Sequence, residues 1–424
     1  MTRMLESDEA ARRLGVKVTT LYAYVSRGML VSHRSPSGRR SLFDVDEVER
    51  LARRSKQGKA VETRMVTVTT GITHLTEDGP IYRGRRATQL ATESTYEEVA
   101  EWLWELPQAG AGDRGGRRQD AGNSPHEPAD EELAWVPLPL GPAPHVGSSD
   151  RMSWAVVMAG AHDPLRADLR PEAVVRTARR VAASMVNVLP PPGGGNVGGQ
   201  PAPARLVLDD GTARAGSMAE RLTFRLSPAP TEQLVRGVNA ALILLADHEL
   251  ATSTMAVRVA ASTRADICDA LLAGLGTVAG PLHGGASQLA YSLLVEAERN
   301  GVEQALNDAL RWQGFLPGFG HTVYKNGDPR FAVLWEMFRQ LAPGANLDVA
   351  RALIALAGEH SIPLPNVDLA LAAMTWATGM PPDAGRTLFA VARVAGWVAH
   401  YLEELGEQPL RYRARAVYAS SHRA

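Results

Sequence analysis

Apolar positions recur at helical spacing through most of the second half of the chain. From Thr231 onward, Ala/Leu/Val-rich stretches follow one another with only short Gly/Pro segments between them, which predicts helix after helix. Earlier, Tyr96–Leu106 predicts a helix, with Thr95 as its cap, Glu97 and Glu98 in its first turn and Pro107 as its stop. Strand signals are sparse. The best is the alternation in Arg64–Thr70, where Met65, Val66 and Val68 stand among threonines. It predicts one arm of a small hairpin that returns through Ile81-Tyr82 after Asp78-Gly79. The first 55 residues predict a separate helical module. Ser7 caps Asp8–Leu14, Gly15 ends it, and Thr19 caps a second helix, Thr20–Arg27, closed by Gly28. Ala10, Leu14, Val18, Leu21 and Val25 would share one core. A polar strip, His33–Arg40, and a third amphipathic helix around Asp46–Arg54 complete the layout of a winged helix-turn-helix.

A length of 424 residues suggests two or three domains, and 45% apolar residues suffice for a sizeable core. Residues 108–150 and 189–217 are rich in Pro and Gly, and are expected as exposed insertions. The single cysteine, Cys268, excludes an intramolecular disulfide framework and fits a reducing cytosol; its apolar helical setting predicts a buried, inert thiol. No secretory signal is evident and no apolar run approaches the ~18 residues of a membrane span, so a cytoplasmic protein is expected. Residues 1–64 hold 14 Lys/Arg against 8 Asp/Glu, a net of +6, which leaves −7 on the rest of a chain whose total is −1. A small basic unit on an acidic body points to a polyanionic partner for the first unit.

Three Gly/Pro-rich loops carry the candidate chemistry: Gly280-Pro281-Leu282-His283-Gly284-Gly285, Gly318-Phe319-Gly320-His321 and Pro365-Asn366-Val367-Asp368. Each lies where helices stop, so backbone can approach a ligand closely. Any one alone reads as a loop histidine or an N-cap aspartate; three in one helical domain, each ending on an ionisable group, ask for a shared purpose. Zinc fits poorly, because no two of His248, His283 and His321 lie at ligand spacing such as i, i+4. No serine elbow is present. A carboxylate base with imidazole hydrogen-bond donors suits proton abstraction next to a carbonyl. Arg330, Arg393 and Arg413 suit bidentate recognition of carboxylates.

On these segments the chain resembles citrate synthase from Met65 to Ala424. Tyr82-Arg83-Gly84, Tyr96–Ala100, Leu245–Glu249 with Ser253, Thr254 and Arg258, the three loops, and Leu388–Trp397 lie in the family's order. The resemblance implies a mainly α, two-domain body at 65–424 with a small subdomain at roughly 285–375, joined by a linker, 56–64, to the winged helix-turn-helix of residues 1–55. It implies a homodimer that condenses acetyl-CoA with oxaloacetate and water to citrate and CoA, a reaction of the tricarboxylic acid cycle. Asp368 would take a methyl proton, His283 would stabilise the enolate, and His321 would protonate the alkoxide. His248, Arg330 and Arg393 would bind oxaloacetate, and Arg413 would reach in from the partner subunit. Pro317, Gly318, Phe319 and Gly320 would meet the coenzyme's adenine. Acetyl-CoA is then a co-substrate, with no metal or bound cofactor. Propionyl-CoA condensation to 2-methylcitrate is the neighbouring possibility, and a DNA-binding regulator that senses acyl-CoA or oxaloacetate is the alternative of another class. The chain departs from the family at Ser287-Gln288, at Leu369-Ala370-Leu371, at Arg413-Ala414-Arg415, and in lacking a lysine within Glu359–Leu364.

Residues 1–55 also resemble the MerR-like and excisionase-like winged helix-turn-helix group, through Ser7–Val16, Thr19–Tyr22 and Arg27–Leu30. Thr20, Tyr22, Ala23 and Arg27 would then face the major groove of double-stranded DNA, with Arg34, Arg39 and Arg40 on phosphates. Such folds serve equally as protein-interaction modules. Trp102 and Trp104 read as core residues.

Overall fold

The computed structural model describes residues 4–14, 16, 18, 21, 25, 30, 32–34, 41–45, 47–49, 67–105, 135–140, 146–192, 205–207, 213–341 and 345–413. The chain divides into two units, Met1–Thr69 and Thr70–Ala424. In the first, strand Met4–Glu6 runs straight into helix Ser7–Leu14, so the expected cap, Ser7, is the first helical residue. Strands His33–Arg34 and Ser41–Asp44 complete an antiparallel sheet in which Ser41–Asp44 is central and Leu5 pairs with Phe43. Ala10, Leu14, Leu21, Leu30, Phe43 and Val48 are buried together, and Val18 and Val25 pack against them. The DNA-facing candidates Thr20, Tyr22, Ala23, Arg27, Arg39 and Arg40 lie outside the described residues, as does the linker 56–64.

The second unit opens with a hairpin whose first arm is not the one expected. Thr67–Thr70 is not a strand; Thr73–Thr76 pairs with Gly79–Tyr82. The cause is the turn. Glu77-Asp78, followed by Gly79 at φ 109°, is a two-residue connection, and a connection that short pairs the residues flanking it directly. The helix expected at Tyr96–Leu106 spans Tyr96–Trp104, with Thr95 and Glu98 satisfying each other's backbone N–H groups. The expected insertions hold more structure than their composition suggests. Trp135 is buried and stacked on Trp104 at 5.4 Å, and Arg205–Val207 pairs with Ala213–Ala215. Trp104 is core as expected, while Trp102 is only partly buried. Cys268 is buried, and burial pushes its thiol up to about 12. Among the described residues no helix is long and apolar enough to cross a membrane.

Helices otherwise build the body, around two cores. A large cluster extends from Ile72 to Leu402 and surrounds helix Ala384–Leu405, which is buried along nearly its whole length. A second cluster, Ala290 to Trp376, is built by Ala286–Asn300, Val302–Gln313, Ala345–Glu359 and Val367–Ala377. Helix Val367–Ala377 serves both: Val367, Ala370, Leu371 and Met374 face the first core, and Leu369, Ala372, Ala373 and Trp376 the second. A helix apolar on all sides is what such a shared position requires. The departure Leu369-Ala370-Leu371 is therefore packing.

Tyr82 joins the hairpin to this scaffold. Fully buried, its hydroxyl lies 3.0 Å from the carbonyl oxygens of both Ile243 and Asp247, and accepts the Asp247 N–H at 3.3 Å. It thus satisfies the buried C-terminal end of helix Glu232–Leu245, just before His248. Tyr82→Phe should lower unfolding free energy by about 1–3 kcal/mol, the cost of orphaning a buried polar group; an unchanged urea midpoint would refute this role.

Candidate active site

His248 sits in a turn directly after helix Glu232–Leu245. Asp247 Oδ2 accepts the Glu249 N–H at 3.0 Å, and Glu249 takes left-handed backbone with φ 55°, so a carboxylate rather than further helix closes the turn. The turn lies against helix Ala384–Leu405 at Gly396, whose N–H donates to the Ala246 carbonyl at 3.0 Å. A Cβ at 396 would collide with the Asp247 carboxylate. Glycine here allows the close approach, at a helix-propensity cost of about 1 kcal/mol relative to alanine.

His283 occupies the tight connection between helices Ile267–Val278 and Ala286–Asn300. Its N–H donates to the Gly280 carbonyl, and the Gly284 N–H donates to Val278, both at 3.0 Å. Its Nε2 lies 2.8 Å from Ser253 Oγ. Ser253 is fully buried and, among the described residues, its hydroxyl has no other partner. Donation by the hydroxyl, which satisfies its buried O–H, would leave the ring proton on Nδ1.

The loops bearing His321 and Asp368 are joined to each other. Phe319 and Pro365 form an antiparallel bridge; the Asn366 N–H donates to Gly318 O and the Gly320 N–H to Leu364 O, each at 2.8 Å. Asn366 Nδ2 donates to Gly320 O at 2.7 Å, while its Oδ1 caps helix Val367–Ala377 by accepting the Asp368 N–H at 3.0 Å. Gly318 has φ 84°, and a Cβ there would lie 2.9 Å from that of Leu369, so only glycine lets the loops meet. Arg330, at the start of helix Pro329–Leu341, is held by Asp328 through Nε at 3.0 Å and Nη2 at 2.9 Å. Asp328 also accepts the Val367 N–H at 3.0 Å.

The electrostatics follow from these contacts. His321 Nδ1 accepts the backbone N–H groups of Val323 at 3.0 Å and Tyr324 at 3.2 Å, so its ring proton is on Nε2. That atom lies 3.2 Å from Arg330 Nη2. Two donors thus converge on one point, an arrangement suited to an electron-rich oxygen. Burial, with Arg330 nearby, depresses His321 to about 4; burial, with Arg393 nearby, depresses His283 to about 4. His248 is pushed well below its ordinary value by burial and by the same two arginines. All three rings are neutral near pH 7. Arg393 donates through Nε to Leu245 O at 2.8 Å, but among the described residues its buried Nη1 has no hydrogen-bond partner. Burial pushes the Asp368 carboxyl up to about 6, against the pull of Arg330.

The structure thus gathers His248, His283, His321, Arg330, Asp368 and Arg393. The His248 and His321 rings are 5.4 Å apart, and Phe389 lies between His283, 5.4 Å away, and the Arg393 guanidinium at 4.5 Å. Arg413 is exposed, and among the described residues no hydrogen bond or ion pair joins it to this set. In Pro317–Gly320, Gly318 O, Gly320 N and Gly320 O each take part in a hydrogen bond between the loops. Tyr324 is the residue that sequence reasoning missed. It stacks on His321 at 4.6 Å and its hydroxyl lies 3.0 Å from His248 Nε2. Its only signal was its place three residues after His321. Of the departures, Gln288 bonds Arg386, and Ser287 packs where a Cβ on Gly385 would stand. Among the described residues no group of three or more His, Cys, Asp or Glu could hold a metal ion.

The family model described as the citrate synthase C-terminal domain matches residues 61–415, and that of a helix-turn-helix domain matches residues 4–56. Citrate synthase 2 of Bacillus subtilis is 30% identical over 366 residues, covering 84% of this chain and 94% of that protein. 2-Methylcitrate synthase 2 of Corynebacterium glutamicum is 35% identical over 184 residues, 42% of this chain and 48% of that one. A citrate synthase of Thermoplasma acidophilum, solved as a ternary complex with carboxymethyl coenzyme A and oxaloacetate, is alike in fold. Its TM-score is 0.64 at 24% identity, over 87% of this chain and 97% of that chain.

The neutral state of His283 and His321 can be checked directly. In a nitrogen-15 NMR titration, His283 and His321 should stay neutral from pH 8 down to pH 5 and begin to protonate only near 4. A midpoint between 6 and 7 for either ring would contradict the electrostatics described.

Proposed function

This chain belongs to the citrate synthase family of acyltransferases, and on that premise we propose that it condenses acetyl-CoA with oxaloacetate and water to citrate and CoA. The observation that carries the reading is the meeting of the His321 Nε2–H with Arg330 Nη2, beside a buried Arg393 nitrogen without a hydrogen-bond partner among the described residues. A keto-dicarboxylate supplies the oxygens that these groups call for: its keto oxygen to His321, its carboxylates to His248, Arg330 and Arg393.

Asp368 is the base. A carboxylate pushed up to about 6 is a stronger base than an ordinary one, yet mostly ionised at neutral pH. It takes a proton from the thioester methyl group while His283 Nδ1–H donates to the thioester oxygen. A neutral imidazole donor lies closer in acidity to an enol than an imidazolium would, so the hydrogen bond strengthens as charge develops. The enolate carbon attacks the keto carbon, and the alkoxide takes the proton from His321 Nε2. Water then cleaves the citryl thioester and CoA leaves. The coenzyme would run along Pro317–Gly320, and the helices of the second core would close over the substrates, excluding water. Arg413, exposed here, would contribute to the site of the partner subunit in a homodimer. One methylene separates acetyl from propionyl, worth only about 1–3 kcal/mol in a pocket. Likeness to a 2-methylcitrate synthase supports propionyl-CoA as the other candidate acyl donor.

A second reading rests on the helix-turn-helix match at residues 4–56. That domain would contact double-stranded DNA through Thr20, Tyr22, Arg27, Arg39 and Arg40, and a dimeric body would present two copies to two half-sites.

Purified protein given oxaloacetate and acetyl-CoA should release CoA, and Asp368→Ala should abolish release. The ratio kcat/KM should rise with pH through about 6, because the base works only after losing its proton. A protein inert with both acyl-CoAs, or a rising limb near 4, speaks against this assignment. Removing residues 1–60 should abolish retardation of DNA fragments and leave CoA release intact; loss of release would instead make the domain part of the enzyme.

A further inference from the structure

Beyond Arg393, helix Ala384–Leu405 carries more ionisable groups on the same face: His400, Glu403 and Glu404, following Gly396 at spacings of three and four. None is among the groups that would touch substrate. His400 and Glu404 are fully buried, and so are two residues from other elements, Asp247 and Arg258. They form one continuous chain. His400 Nε2 lies 3.3 Å from Asp247 Oδ2, and His400 Nδ1 lies 2.7 Å from Arg258 Nη1. A guanidinium can only donate, so Nδ1 accepts and Nε2–H donates to Asp247. Arg258 also donates to Glu403 at 2.6 Å and to Glu404 at 2.9 Å. Glu404 in turn accepts Arg411 through Nε at 2.8 Å and Nη2 at 2.5 Å, and the Tyr412 hydroxyl at 2.7 Å.

One end of this chain reaches the candidate site, and the other reaches the segment that carries Arg413. At one end, Asp247 Oδ2 is the atom that closes the turn bearing His248. At the other, Arg411 and Tyr412 immediately precede Arg413. Buried ion pairs seldom add net stability over apolar side chains of equal volume, so stability alone accounts poorly for four fully buried ionisable residues between helices. Their geometric effect is plain. His400 holds the Asp247 carboxylate that accepts the Glu249 N–H, and Glu404 and Arg258 hold the Arg411–Tyr412 pair just ahead of Arg413.

We propose that the buried relay Asp247–His400–Arg258–Glu404 positions both ends of the dicarboxylate site, the His248 turn within its own subunit and the Arg413-bearing segment that serves the partner. The proposal rests on the condensation reading above. His400 is a positioning residue, acting through Asp247.

The test uses the full chain and three variants. His400→Leu removes donor and acceptor at similar size. His400→Gln restores one of each. Arg411→Ala cuts the relay at its partly exposed end, where folding is least at risk. His400→Leu and Arg411→Ala should each raise the KM for oxaloacetate roughly tenfold to hundredfold, as small displacements of binding groups do, with little change in the KM for acetyl-CoA. His400→Gln should recover most of the loss. Calorimetric titration with oxaloacetate alone should rank the proteins in the same order. A role in stability only would lower melting temperature and active fraction while leaving the oxaloacetate KM in place, and that result overturns the relay. If His400→Leu fails to fold, Arg411→Ala decides by the same measure. A wild-type protein that binds oxaloacetate normally, with variants that bind equally well, sinks the relay alone. A wild-type protein that binds none removes the condensation reading and the relay with it.

Discussion

The Asp328 carboxylate holds the Arg330 guanidinium with one hand and the first N–H of the Asp368 helix with the other. Most of the site's electrostatics descend from that pairing. Fixed in place, the Arg330 charge helps keep His248 and His321 neutral and moderates the rise in the Asp368 pKa. The two aspartates are consequently driven apart: Asp328 falls below its ordinary range beside the guanidinium, and Asp368 rises within the desolvated cleft. One is held as an anion that orders structure, and the other is a buried carboxyl whose pKa is raised to about 6. Removing either member of a buried pair typically costs about 3–5 kcal/mol, because the charge left behind has no compensation. A site arranged around such a pair tolerates little drift.

The scaffold accommodates this charge by concentrating it. Helix Ala384–Leu405 is buried on almost every side, yet one face carries Phe389, Arg393, Gly396, His400 and Glu404. Small residues let other elements come close enough to satisfy those polar groups. Gly396 admits the Asp247 turn, and the Trp104 indole N–H reaches the Ala395 carbonyl at 2.9 Å. The Glu403 carboxylate also accepts the Gly71 N–H at 2.9 Å, so the opening residues of the body are tied to this same helix.

Much of this was legible along the chain, for identifiable reasons. The three loops announced themselves because glycine and proline mark places where helices end and backbone is exposed. Thr95 was legible as a cap, with Glu98 in the first turn, because the two partners of the box they form are only three residues apart. What escaped is pairing across long separations. Asn366 to Gly320 spans 46 residues and His400 to Asp247 spans 153, and no local pattern distinguishes those residues from ordinary polar ones. The hairpin arm was misplaced because alternation in Arg64–Thr70 outweighed the stricter demand of a two-residue turn. Trp135 was lost among residues whose average composition suggested exposure, although one indole stacked on Trp104 was enough to bury that stretch locally.

The bridge between Phe319 and Pro365 has a kinematic meaning. Because Asn366 is bonded to both Gly318 and Gly320, the His321 ring and the Asp368 carboxylate ride on a single rigid piece. A hinge rotation leaves their mutual spacing untouched. The quantity free to vary is the placement of that piece against Arg393, on helix Ala384–Leu405 of the other core, and His248, in the turn that packs on that helix. Assembly of the cluster then has few degrees of freedom: His321 and Asp368 arrive together, or not at all.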